Sequence, residues 1–396
     1  MNTHDELERE LAATLRGRVD HLADAPLTLH DVTGKARSIR RNRRLATGAG
    51  LLAAAAVIVP VAIFSGGDAR RAEEPMPVTP VPTPVAEQVV LSPDAPVGEA
   101  PRVAWIEGRT IHLPDGTTIA TERPYVSVHL VAGDVLAVWN DDETGFKRMD
   151  ELDESGEVLA STPMEGPVVA NEDGSVIAYA LGGEHGPIQV RTAEATTTIE
   201  ADVPYGMLTA VNGADGCPDG CAIYYSAPGP EGGMGRVDLD GNVTRPVTDV
   251  LSISDAHGDR LVAGLTAADS IELTFCSAVF EGGARKWETC ETSLEAFSPD
   301  GAWVMASDAY QDGAGQSMVA ILDTGSGGRQ VQYDAGDGFV NYRIWEDATH
   351  LLVAHHSFAD GLWRLYRVGL DGSVEQAAEP RKSPDYAESP FILVEQ

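Results

Sequence analysis

The residues best able to do chemistry in this chain of 396 residues are four cysteines, one adjacent histidine pair and several groups of carboxylates. None of them lies in a known catalytic motif: there is no G-x-S-x-G nucleophile elbow, H-E-x-x-H zinc motif, Walker A loop or dinucleotide-binding glycine pattern. His355 and His356 would face opposite sides of a strand, so they cannot bind one metal ion together. We therefore predict no catalytic, cofactor-binding or metal-binding residue, and predict that the chain is not an enzyme.

The four cysteines, Cys217, Cys221, Cys276 and Cys290, favour disulfides. Cys217 and Cys221 bracket a tight turn, and a hairpin turn centred on Gly283 would place Cys276 opposite Cys290. Of the three possible connectivities we predict 217–221 and 276–290. A metal site is the alternative, although the paired C-x2-C spacing of a zinc ribbon is absent.

Two acidic stretches, 141–143 and 238–241, are candidates for calcium binding. The second begins like an EF-hand loop but lacks the closing glutamate. Solvated turns are the preferred interpretation of both.

A stretch of twenty uncharged residues, 45–64, organises the rest of the chain. As a helix it would reach roughly 30 Å, the thickness of a bilayer's hydrocarbon core. Five arginines precede it at positions 37–44, and positive residues beside a span stay in the cytoplasm. We predict a single-pass transmembrane helix with its N-terminus cytoplasmic and the C-terminal domain outside. A buried core helix and a cleaved signal peptide are the alternatives.

The net charge of −33 lies almost wholly after this stretch. Residues 1–44 hold nine Lys/Arg and seven Asp/Glu, a net charge of about +2, which leaves about −35 for the remainder. So acidic a surface argues against a nucleic-acid partner, because phosphate contacts need positive charge. Four lysines stand beside 24 arginines, as in a bacterium with a GC-rich genome.

The residues on either side of the predicted span differ in kind. Residues 1–44 show two N-capping patterns and an apolar stripe, which predict a short cytoplasmic helical segment. This segment is either loosely ordered or the docking site of a cytoplasmic regulator. Residues 65–101 hold eight of the 24 prolines and predict an extended extracytoplasmic linker, in which Ala86 to Leu91 could add a short strand.

Residues 102–396 show a repeat of about 43 residues. Its clearest unit, 293–337, contains four short strands separated by turn-forming residues, and the turn Ser298-Pro299-Asp300-Gly301 follows its first strand. This unit resembles the repeat of TolB-type and WD-repeat β-propellers. Expected first strands lie near Val126, Val168, Met207, Leu251, Leu294 and Val340.

The resemblance implies an all-β propeller. We predict seven blades, with six or eight as alternatives, and a pair of β-sandwiches as the second choice of fold. Six blades would run from 125 to about 380. The seventh would combine 101–121 with a C-terminal strand at 390–395 and so close the ring, which leaves no open sheet edge.

The N-terminal stretch from Glu6 to Arg44, followed at once by the Ala-rich span, resembles the N-termini of actinobacterial single-span membrane proteins. In that group such an N-terminus commonly precedes an extracytoplasmic repeat domain, and some members look like partners of sigma factors. The resemblance implies a membrane-anchored propeller that binds an unknown protein or small ligand at its face. The alternatives are a signalling protein whose residues 1–44 engage a sigma factor, and a propeller-based hydrolase.

Overall fold

The computed structural model describes most of residues 87–393. The gaps within that range are 172–173, 183–185, 202–206, 214–216, 218–219, 228–232, 266–274, 311–312 and 314. The chain divides into two compact units, Met1–Val81 and Pro82–Gln396, and every described residue belongs to the second.

The described residues form β-strands and turns. The strands of the first half are β1 Glu87–Val90, β2 Trp105–Glu107, β3 Thr110–His112, β4 Thr118–Ala120, β5 Tyr125–Val131, β6 Asp134–Asn140, β7 Lys147–Leu152, β8 Val158–Ala170, β9 Ile177–Leu181, β10 Ile188–Arg191, β11 Thr196–Ile199, β12 Leu208–Asn212, β13 Ala222–Ala227, β14 Gly233–Asp238 and β15 Val243–Thr244. Those of the second half are β16 Val250–His257, β17 Arg260–Leu265, β18 Ser277–Glu281, β19 Ala284–Thr289, β20 Thr292–Phe297, β21 Trp303–Asp308, β22 Met318–Asp323, β23 Arg329–Asp334, β24 Gly338–Trp345, β25 His350–Ser357, β26 Trp363–Gly369, β27 Val374–Gln376 and β28 Phe391–Leu393.

These strands assemble into a β-propeller. Sheets β12–β15, β16–β19 and β24–β27 each have four antiparallel strands, and β20–β23 gain β1 as a parallel fifth strand. Strand β28 pairs with β2 beside β3 and β4, with Trp105 opposite Leu393, so this sheet combines the two ends of the domain. Successive sheets contact one another around a ring through the strand pairs β8–β12, β12–β16, β16–β20 and β22–β24, and β28 closes the ring by contacting both β24 and β5.

The prediction of seven separate blades is wrong. Five sheets have the four or five strands of a separate blade, whereas β5 to β11 form one continuous sheet of seven strands. The cause is β8, which runs for 13 residues without an intervening loop. Its residue Met164 lies opposite Lys147 of β7 on one side and Leu181 of β9 on the other. The units expected at Val126 and Val168 are therefore joined.

The described part of the chain contains no helix, and so no helix long and apolar enough to cross a membrane. This differs from the predicted architecture of a propeller preceded by helices. The helical segment predicted at 1–44 and the span predicted at 45–64 lie outside the described residues. Of the linker predicted at 65–101, residues 87–101 are described, and the short strand expected at 86–91 is β1.

The hydrophobic core is divided among clusters that lie between neighbouring sheets. One cluster joins Val319 and Tyr333 of the β20–β23 sheet to Val353 and Tyr366 of the next. Similar clusters follow around the ring, and a further one packs within the seven-stranded sheet. Middle strands such as β25 and β26 are buried on both faces, because each sheet packs between two neighbouring sheets.

Side chains of the turns hold the strands in register. In the turn after β20, the Ser298 hydroxyl accepts a hydrogen bond from Trp303 N at 3.0 Å and donates one to Asp300 at 2.6 Å. Gly301 has a φ of +65°, a conformation that other residues adopt only with strain. Asn171 and Asp238 accept backbone N–H bonds in the same way in other sheets. These are the turns from which the repeat was identified.

Residues 87–102 form a strap across two sheets before the chain enters its own sheet at β2. Leu91 is 4% exposed and packs in the cluster between the β20–β23 and β24–β27 sheets. Arg367, buried in β26, donates to the carbonyl oxygens of Glu99 and Ala100 and forms an ion pair with the buried carboxylate of Glu346. The strap is thus part of the propeller's packing.

Candidate functional site

A cavity of about 600 Å³ opens among the strands of the ring. Residues of β5, β6, β7, β8, β16, β20, β24 and β28 line it. Of these strands, β16 contacts β20, and β28 contacts both β24 and β5. The cavity therefore lies in the central channel. Its polar lining side chains are Ser127, His129, Lys147, Ser254, Ser293, Glu295, Asn341, Tyr342 and Arg343.

An ion pair between two neighbouring sheets forms part of the wall. Arg343 of β24 donates from Nε and Nη2 to the two carboxylate oxygens of Glu295 in β20, and from Nη1 to Asn341 O at 3.0 Å. Ser307 of β21 donates a further hydrogen bond to Glu295. The two charged side chains are only 16% and 18% exposed. A bidentate pair of this kind fixes both orientation and position.

His129 and Lys147 lie on the same wall without such partners. The Nε2 atom of His129 is buried and has no hydrogen-bond partner among the described residues. Burial lowers the pKa of His129 to about 4, so its imidazole is neutral near pH 7. Lys147 forms no ion pair within the described part of the chain.

A smaller and more apolar cavity of about 170 Å³ adjoins the first. The two cavities share Pro167, Val168, Ser254 and Ile344. Phe297, Met305 and Trp345 supply apolar walls, and Trp345 donates its indole N–H to Ala296 O at 3.1 Å. The channel thus offers a polar compartment with charged groups beside an apolar one, an arrangement typical of small-molecule sites.

The cysteines pair as the sequence predicted. Cys217 is bonded to Cys221 and Cys276 to Cys290, with Cα–Cα distances of 4.7 and 4.0 Å. The second pair lies at the adjoining ends of β18 and β19. The first pair lies in the connection between β12 and β13. Neither pair lines the central cavity.

The other residues considered from the sequence are also distributed through the sheets. His355 bonds Ala335 O through Nε2 at 2.8 Å, while His356 packs against Phe339 and Trp363, so the two rings occupy different surroundings. Asp238 accepts backbone hydrogen bonds from Asp240 and Asn242, as a turn residue does. Within the described ranges, no three His, Cys, Asp or Glu residues cluster closely enough to hold a metal ion.

The sequence analysis did not identify the charged groups of the channel. Glu295 and Arg343 each lie within a short apolar stretch of a first strand, Leu294–Phe297 in β20 and Tyr342–Trp345 in β24. A charge on a strand expected at the centre of a propeller is the signal that could have identified them. The ion pair between them could not be predicted from the sequence, because it depends on how two neighbouring sheets are rotated relative to each other about the ring.

Comparisons with known proteins match the chain to propellers only at the level of fold. No protein family model and no curated protein matches it. Among solved structures, the β-propeller domain of the Trilobed protease from Pyrococcus furiosus has 11% identity over 66% of this chain and 95% of that one, with a TM-score of 0.42. An apocarotenoid oxygenase mutant from Synechocystis has 10% identity over 63% of this chain and 70% of that one, with a TM-score of 0.42. The acylaminoacyl peptidase of Pyrococcus horikoshii has 12% identity over 64% of this chain and 46% of that one, with a TM-score of 0.44.

An acylaminoacyl peptidase and an apocarotenoid oxygenase among these structures correct one inference from the sequence. We concluded from missing motifs that the chain is not an enzyme, but the similar structures include these two enzymes. That conclusion therefore does not stand. Likenesses of this degree show the fold and assign no reaction to this chain.

Proposed function

We propose that the protein is a ligand-binding β-propeller whose site is the central channel. The observation that carries the proposal is the ion pair of Glu295 and Arg343, to which Ser307 donates a further hydrogen bond. Glu295 and Arg343 are withdrawn from most solvent, yet they border a cavity of about 600 Å³. Holding an ordered ion pair beside open space costs desolvation, a cost typical of sites that orient a ligand.

The adjoining apolar cavity extends this site. Phe297, Met305 and Trp345 give it walls that accept the apolar part of a ligand, next to the charged groups of the larger cavity. A ligand of small-molecule size fits the combined space better than a protein surface does.

We also propose that the propeller works outside the cytoplasm. All four cysteines of the chain are in disulfides, which form and persist in oxidising compartments. The acidic composition suits a solvated domain in such a compartment.

The channel can be tested by filling it. Ser254 is exposed and borders both cavities, so Ser254→Trp should occupy the junction between them without disturbing a packed side chain. Thr196→Trp, at an exposed position of β11 on the outside of a sheet, is the matched control. Both variants should keep the wild-type unfolding midpoint.

Binding is measured by incubating the full chain with a library of carboxylates, phosphate esters, neutral sugars, alcohols and amines, and identifying retained compounds by mass spectrometry. We expect that some compounds are retained by the wild type and by Thr196→Trp but are not retained by Ser254→Trp. Retention that is the same for all three proteins, or no retained compound, would refute the channel as the binding site.

A further inference from the structure

The charge of the central cavity differs in sign from the charge of the protein. The chain carries a net charge of −33, yet the charged side chains that line the larger cavity are Lys147 and Arg343 against the single carboxylate of Glu295. His129 on the same wall is neutral. The lining of the larger cavity therefore carries about +1 in a molecule whose surface is strongly acidic. The adjoining cavity adds the carboxylate of Asp255, whose two oxygens accept hydrogen bonds from Ala256 N and Phe297 N.

The one carboxylate that lines the larger cavity is already occupied. Both oxygens of Glu295 accept from Arg343, and Ser307 donates to one of them as well. A positive ligand would have to compete with a guanidinium that is held in bidentate geometry, so Glu295 offers little to a cation.

The positive groups, by contrast, keep unused capacity. Arg343 has five N–H donors, of which three are used by Glu295 and Asn341, and Lys147 forms no ion pair within the described part of the chain. Charged groups lining a cavity with low-dielectric walls interact more strongly than groups in bulk water.

We propose that the ligand of the channel is a small molecule that carries a carboxylate or phosphate group, bound by Lys147 and the free N–H groups of Arg343. The acidic exterior repels anions, so such a ligand gains its attraction only within the channel. This inference rests on the proposed function and adds the chemical class of the ligand.

Two substitutions with opposite expected effects test the inference. Lys147→Met keeps the length of the side chain and removes its charge, and it should weaken binding of retained anions about tenfold or more. Glu295→Gln keeps an acceptor for Arg343 and Ser307 while raising the charge of the lining, so it should tighten binding of the same anions. Lys286→Met is the control, because Lys286 pairs with Glu281 on the strands β18 and β19, away from the cavity.

The measurement is isothermal titration of the full chain with the compounds that the library experiment retains, and with citrate and inorganic phosphate. If carboxylates bind and phosphate does not, the site takes carboxylates. If phosphate binds and carboxylates do not, the site takes phosphate groups. Weaker binding in Lys147→Met, tighter binding in Glu295→Gln and no change in Lys286→Met support the inference. Damage to the fold would instead weaken binding in both channel variants, so the opposite signs separate charge from structure.

The experiments also distinguish a wrong assignment of the ligand as an anion from a wrong assignment of the channel as the binding site. If retained compounds are neutral or positive and are lost in Ser254→Trp, the channel binds ligands but the anion assignment is wrong. Equal affinities in the wild type and Lys147→Met overturn it as well. If no compound depends on Ser254, the channel proposal itself fails.

Discussion

Replacing Arg367 by methionine should destabilise the propeller more than any exposed charge replacement. Arg367 and its partner Glu346 have side-chain exposures of 3% and 0%. Arg367 donates from Nε and Nη2 to Glu346, with the Nη2 contact at 2.7 Å, and its remaining donors hold Glu99 O, Ala100 O and Glu375. Methionine keeps much of the apolar stem and leaves Glu346 buried without its positive partner.

The size of the effect follows from which contacts water can replace. Glu375 is 36% exposed, and Glu99 and Ala100 are exposed, so solvent can take over those interactions. Glu346 has no such access, and breaking a buried ion pair typically costs about 3–5 kcal/mol. With a urea dependence near the upper end for single domains, about 3 kcal/mol/M, the midpoint should fall by about 1–2 M.

Urea denaturation of the full chain followed by tryptophan fluorescence measures this change. The matched control is Arg285→Met, because the Arg285–Glu288 pair is 42% and 50% exposed and should contribute less than about 1 kcal/mol. Adding Glu346→Gln to Arg367→Met should recover part of the loss, since the uncompensated charge is then removed. Equal midpoints for Arg367→Met and Arg285→Met would refute this account of the strap.

Two other predictions concern pH and the disulfides. Burial lowers the pKa of His129 from 6.5 to about 4, so the unfolded chain binds a proton at this residue more readily than the folded chain does. The free energy of unfolding should therefore fall as the pH is lowered from 6.5 towards 4, and His129 should account for about 3 kcal/mol of that decrease. Urea midpoints at pH 7 and 4 should therefore differ less in His129→Gln than in the wild type, and identical pH dependence would contradict the burial argument. Replacing Cys276 and Cys290 together by serine should lower stability by about 2–3 kcal/mol under oxidising conditions, because their loop is short, and should have no effect after full reduction of both proteins.

Local features of the fold were readable from the sequence because they depend on neighbouring residues. The turn from Ser298 to Gly301 needs a side-chain hydrogen-bond acceptor and a glycine at a fixed spacing, and the sequence contains both. The pairing of Cys276 with Cys290 follows from one hairpin. The period of about 43 residues placed the first strands of the sheets because each unit repeats the same alternation.

Features that depend on how neighbouring repeat units are connected could not be predicted from the sequence. Gly166 and Pro167 have the composition of a turn between two blades, but Gly166 has a φ of +72° within the continuous strand β8. The register shift between Glu165 and Val169 absorbs this bend without ending the strand. A bulge and a turn use the same residue types, so only the pairing partners on both sides distinguish them.

The charged residues of the candidate site could not be predicted from the sequence for a related reason. Glu295 and Arg343 are 48 residues apart, about one repeat of the sequence. Sequence periodicity places both on first strands but does not say which residues of neighbouring strands meet. The contact between them is a property of the ring.

The sheet built from β28 and β2 has a consequence for synthesis of the protein. Its partners Trp105 and Leu393 are separated by almost the whole domain, and closing so long a loop from an unfolded chain costs about 5 kcal/mol of entropy. Sheets β12–β15 and β16–β19 contain only local pairings and can form while later residues are still on the ribosome. Each sheet formed in this way shortens the gap that remains. The chain therefore completes its channel only after Leu393 has been synthesised and can pair with Trp105.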